Sequence, residues 1–95
     1  MYVSGITIRF AIKWSKSLKE KRSFTNSFKN KLQSKFNISI SEIDDLDSIK
    51  FAHFGIVTTA SSYKIISSRI NKIYDYLNKS YLEAEMIKLE KFDLS

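Results

Sequence analysis

The sequence predicts one α+β domain of order β-α-β-β-α-β spanning residues 1–95. Three observations predict it. Residues 2–14 and 49–60 alternate apolar and mixed positions with period two, as strands do. Residues 17–35 and 61–78 repeat apolar positions with period 3.6, as amphipathic helices do. Each helical stretch is followed by a shorter alternating run, 38–43 and 82–92. Two strand-helix-strand units with both helices on one sheet face make a split β-α-β arrangement. The expected sheet is antiparallel, of order 4-1-3-2, with strands one and three central and one face open.

In the first strand, Tyr2, Ile6, Ile8, Phe10, Ile12 and Trp14 share one face. Val3, Gly5, Thr7, Arg9, Ala11 and Lys13 share the other. Ser17 to Glu20 is a capping box, in which the serine hydroxyl accepts from the third helical amide and the glutamate reaches back. Leu18, Phe24, Phe28, Leu32 and Phe36 then form the buried stripe, and Asn37 is suited to a left-handed helix end. In the second strand Ile38 and Ile40 share a face and Ile43 is out of phase. The third has Ala52, Phe54, Ile56 and Thr58 on one face and Phe51, His53, Gly55, Val57 and Thr59 on the other. Ser61 or Ser62 caps the second helix, whose buried stripe is Tyr63, Ile66, Ile70, Ile73, Tyr74 and Leu77. The last strand alternates weakly, with Leu82, Ala84 and Met86 inward.

Composition removes several chemistries. There is no Cys, so disulfides, thiolate metal sites and cysteine nucleophiles are excluded. The first residues do not read as a signal peptide, because Arg9 and Lys13 interrupt the apolar positions. No stretch approaches the roughly 20 apolar residues of a membrane span. The expectation is a cytoplasmic protein.

Charge is unevenly placed. Residues 1–36 carry nine basic side chains and one acidic, whereas residues 37–95 carry seven basic and nine acidic. A basic half points to anionic partners such as RNA. Lys21 lies on the helix face that also carries Leu18, Phe28 and Leu32, so it must snorkel or find a carboxylate. The expected topology brings the acidic connection 42–47 to the same end as Lys16, Lys19, Lys21 and Arg22. Two readings follow. In one, Lys21 and Arg22 pair with Glu42, Asp44, Asp45 and Asp47 in an internal network. In the other, Lys16, Lys19, Arg22 and Lys29 contact phosphates, with strong salt dependence.

The open sheet face offers Phe51, His53 and Val57 as a protein interface, and a homodimer is expected to form through that face or through an edge strand. A base-stacking role for the same face is weaker, since strand one supplies no aromatic there beyond its ends. Asp44, Asp45 and Asp47 lack the glycine and distal glutamate of a calcium loop, and no metal is expected. His53 is the sole histidine and has no evident nucleophile, so no catalytic residue, cofactor or small-molecule substrate is expected.

Three segments carry a family resemblance. Ser17-Leu18-Lys19-Glu20-Lys21-Arg22 resembles the signature of the YlxP-like family of small bacterial proteins. Lys35 to Glu42 resembles its helix-to-strand junction, and Ala52-His53-Phe54-Gly55-Ile56 its third strand. Where the family has an aromatic near positions 48–49, this chain has Ser48 and Ile49. The resemblance implies a ferredoxin-like fold and no established activity. Members are often encoded beside translation and ribosome-maturation factors, which implies a ribosomal RNA or ribosomal-subunit partner. An acyl-phosphatase-like enzyme of this fold would need an anion-cradling loop after strand one, and Trp14-Ser15-Lys16 has no glycine-rich character.

Overall fold

A computed structural model describes residues 1–80 and 83–94. Its elements are β1 (Tyr2–Ala11), α1 (Leu18–Lys35), β2 (Ser39–Asp44), β3 (Phe51–Ala60), α2 (Tyr63–Ser80) and β4 (Glu85–Asp93). The four strands form one antiparallel sheet of order β2-β3-β1-β4, which is 4-1-3-2 read from the opposite edge. The chain therefore has the expected ferredoxin-like α+β fold.

The period-two residues meet the period-3.6 residues on one side of the sheet. Ile6, Ile8 and Phe10 of β1 and Ala52, Phe54 and Ile56 of β3 are fully buried with Phe28 and Leu32 of α1 and Ile73 of α2. Aromatic rings weld α1 to the sheet. Phe10 meets Phe24 and Phe28 edge to face at 5.4 and 5.0 Å, and Phe28 lies 4.6 Å from Phe54. Such pairs add about 0.5–1.5 kcal/mol beyond the area they bury.

Several boundaries differ from the periodicity. β1 stops at Ala11, because a tight turn with Ser15 N–H on the Ile12 carbonyl follows. α1 ends at Phe36 in extended backbone (φ −129°, ψ 149°), not in a left-handed Asn37. The helix thus feeds straight into β2, and the Asn37 carbonyl accepts from Thr58 Oγ1 at 2.9 Å. Ser62, not Ser61, caps α2 by accepting from Ile65 N–H. Tyr63 is exposed rather than part of the buried stripe, because the first turn of α2 overhangs the sheet end and stacks edge-on with Tyr2.

Two bulges explain the weak alternations. In β2 the register shifts between Glu42 and Asp44, so Asp44 joins Ile43 on the open face, where Ile43 lies against Gly55. In β4 it shifts so that Arg9 pairs with Lys88 and Phe10 with Met86, skipping Ile87. Ala84, Met86 and Leu89 pack against the core, and Leu82 lies outside the described residues.

Candidate nucleic-acid interface

The site is built where α1 begins. Ser17 is the N-cap, accepting from Glu20 N–H, while Glu20 Oε1 accepts from Lys16 N–H at 2.9 Å. This box sets the angle of α1 and places Lys21 one turn in, over the sheet end. Lys21 is completely buried. Its Nζ donates to the Asp45 carbonyl at 2.8 Å and lies 2.5 Å from Glu42 Oε2. Glu42 Oε2 takes no hydrogen bond of good geometry, so its contact with Lys21 is Coulombic.

The β2–β3 connection is organised around Asp45, the one non-glycine residue with positive φ (60°) among the described residues. Aspartate tolerates this left-handed conformation better than most residues. Asp45 N–H donates to Asp44 Oδ1, and its carbonyl accepts from both Lys21 Nζ and Ser48 N–H. Its carboxylate crosses to the open face and accepts from Arg9 Nε at 2.9 Å. Arg9 in turn covers the Phe51 ring, 4.4 Å from its centroid. Asp45 thus ties the helix side of the sheet to its open side.

The Arg9 hydrogen bond holds the Asp45 carboxyl below its ordinary pKa, against the opposing effect of burial; Coulomb attraction to Arg9, His53 and Lys21 adds to the lowering. The same bond raises Arg9. A depressed folded-state pKa adds stability above the unfolded value, and that stability is lost as pH falls through the folded one. The stability difference between wild type and Asp45→Asn should therefore be flat from neutral pH to about pH 5 and shrink below about pH 4. Urea unfolding across a pH series measures it, and a difference that persists unchanged to about pH 2.5 refutes the Arg9 pairing.

These contacts sort the predicted site residues. Lys21, Glu42 and Asp45 come together. Asp44 serves its neighbour's amide, and Asp47 has no ion-pair partner among the described residues. Arg22 does not join the network. One residue along a helix is a rotation of about 100°, so a buried Lys21 forces Arg22 outward.

The outward set forms a stripe. Lys19, Arg22, Asn26, Lys29 and Gln33 recur at three- and four-residue spacing, so they line one side of α1. Lys19 and Arg22 are exposed and Lys29 is half-buried. Lys16 stands exposed just before the helix. Among the described residues, none of these four side chains has an acidic partner. Two further acids pair elsewhere: Glu85 with Lys13 at 3.1 Å and Glu90 with Lys88 at 3.1 Å. Glu20 is the sole acid within α1, and it faces the cap.

The open face is not a continuous apolar patch. Phe51, His53 and Val57 are half-buried. Register places Asp44, His53, Arg9 and Lys88 in one row across all four strands. This charged row separates Phe51 from Val57 and Phe92. Sequence reasoning left Arg9 without a partner. Its placement beside Phe51 on the same face of the neighbouring strand was the available signal.

Residues 3–91 match the family model described as "Protein of unknown function (DUF503)". The chain belongs to this family. It is also 35% identical over 69 residues to the "Uncharacterized protein YlxP" of Bacillus subtilis (strain 168), covering 73% of this chain and 74% of that protein. The DUF503 match takes in every element from β1 into β4, including the Lys21 clamp and the whole α1 stripe. No described helix is long and apolar enough to cross a membrane.

Proposed function

We propose that this chain is a non-enzymatic, cytoplasmic RNA-binding module that grips the phosphates of a structured RNA, such as ribosomal RNA, through the α1 stripe. One observation carries the reading. In the stretch 42–47, Glu42 is committed to Lys21 and Asp45 to Arg9, and no ion pair joins any of its acids to Lys16, Lys19, Arg22 or Lys29 among the described residues. A cationic stripe with amide side chains between the charges suits a phosphate backbone, which is bound through Lys and Arg with polar side chains assisting. A homodimer through the open face has weaker support than the RNA reading, because the charged row divides the surface that would have to be buried.

Filter binding to ribosomal RNA and to ribosomal subunits over a salt series tests this. With four phosphate contacts, log K should fall against log salt with a slope of about −3 to −4. The triple substitution Lys19→Ala, Arg22→Ala, Lys29→Ala should reduce that slope by about 2–3. It should leave stability nearly unchanged, since Lys19 and Arg22 are exposed, Lys29 is not fully buried, and alanine favours the helix. No binding at about 50 mM salt, where such contacts are strong, overturns the proposal.

A further inference from the structure

The accessible aromatic rings are not equivalent. Tyr2 and Tyr63 pair with one another at the far end of β1. Phe51 is capped by Arg9, and Phe92 lies against Gly5. Trp14 stands apart, at the end of the molecule where the basic stripe begins.

Trp14 is 45% exposed and yet held from two sides. Its Nε1 donates to the Glu83 carbonyl at 2.6 Å, and its ring meets Phe24 of α1 edge to face at 6.5 Å. The turn that carries it is stiffened by the buried Ser15, whose Oγ donates to the Ser17 carbonyl at 3.1 Å. The single polar atom of the indole is thus satisfied within the chain, and what remains accessible is apolar ring. The surroundings carry both signs: the indole touches Glu83, Glu20 accepts from the Lys16 amide, and several lysines stand beside them. Lys50 Nζ donates to the carbonyl of Lys13, the residue next to Trp14, at 2.7 Å. Lys16 and Lys19 follow within five residues and are exposed. Glu85 offsets only Lys13.

We infer that Trp14 is a stacking platform for an unpaired base of the RNA whose phosphates lie along α1. This inference rests on the RNA-binding reading above. A rigid aromatic ring beside lysines is the combination by which proteins take unpaired nucleotides, because every base has a π-face and needs no hydrogen bond to stack. The cations continue from the turn into the stripe. The indole meets α1 at Phe24, on the flank away from the stripe, so an RNA gripped by Lys19 and Arg22 reaches it around the N-terminal end of the helix, past Lys16.

Trp14 is the single tryptophan of the chain, so its fluorescence reports the site directly. Two probes of equal length separate the parts: an RNA hairpin with an unpaired loop, and a fully paired RNA duplex. Binding is followed by anisotropy of the labelled RNA at about 50 mM salt, where phosphate contacts are strong. The hairpin should quench Trp14 and shield it from acrylamide, and the duplex should do neither. Trp14→Leu should weaken hairpin binding about tenfold or more, leaving duplex binding and its salt slope unchanged, while Trp14→Phe should restore part of the loss. If RNA binds but Trp14 fluorescence and acrylamide access do not move, the stacking site is wrong and the phosphate stripe stands. If neither RNA binds, both readings fall.

Discussion

Lys21→Met should cost about 3–5 kcal/mol of stability, because it strands the Glu42 carboxylate beneath α1 without its counter-charge. The Lys21 side chain is wholly inaccessible and that of Glu42 is 13% accessible. Water therefore cannot replace the lost ammonium well. The substitution also removes the donor that holds the Asp45 carbonyl. For a chain of this length the whole folding free energy is on the order of 5–14 kcal/mol, so this single change takes a large share of it. Urea unfolding followed by circular dichroism should show a lower midpoint at an unchanged slope. The double variant Lys21→Met, Glu42→Leu should recover much of the loss, since an apolar pair of similar volume often matches a buried ion pair. A loss below about 1 kcal/mol for Lys21→Met would mean that solvent reaches the pair after all.

Gly5→Val should be comparably damaging, for a steric rather than an electrostatic reason. Gly5 lies on the open side of β1, directly opposite Phe92 of β4. A Cβ at this position clashes with the Cζ edge of the Phe92 ring and lies 2.5 Å from the Ile56 carbonyl oxygen. The ring can swing away, but the carbonyl belongs to the neighbouring strand and cannot. Overpacking of this kind costs typically about 1–3 kcal/mol and more when backbone must move. Gly5→Ala should fall in that range and Gly5→Val above it, read as midpoint shifts in thermal unfolding. Adding Phe92→Ala should relieve part of the Gly5→Ala penalty and leave the backbone part. Full relief would show that the Ile56 carbonyl does not limit the site.

The two predictions differ in how far the residues could be read from sequence. Lys21 was legible, since a lysine at a buried position of a 3.6-residue repeat must meet a carboxylate or reach water. That its partner comes from the stretch 42–47 followed from topology. Which carboxylate it meets did not follow, because the bulge at Ile43 alters which side of β2 each later residue faces. Gly5 was legible only as an open-face residue. Its filling by Phe92 depends on the β4 register, which the bulge at Ile87 shifts. Trp14 read as the last apolar residue of a strand, but the strand ends three residues earlier and leaves the ring half-exposed.

By itself the sequence determined the order of elements, the sheet topology and the buried faces of both helices. Hydrophobic periodicity is a local consequence of backbone geometry, and a dozen residues suffice to display it. Only the tertiary structure decided which charges are spent. Ion pairs and hydrogen bonds are made or lost over about an ångström. That fine placement is set here by two bulges and one left-handed residue, Asp45. Glu42 is spent on Lys21 and Asp45 on Arg9, while Lys16, Lys19, Arg22 and Lys29 are left without acidic partners among the described residues.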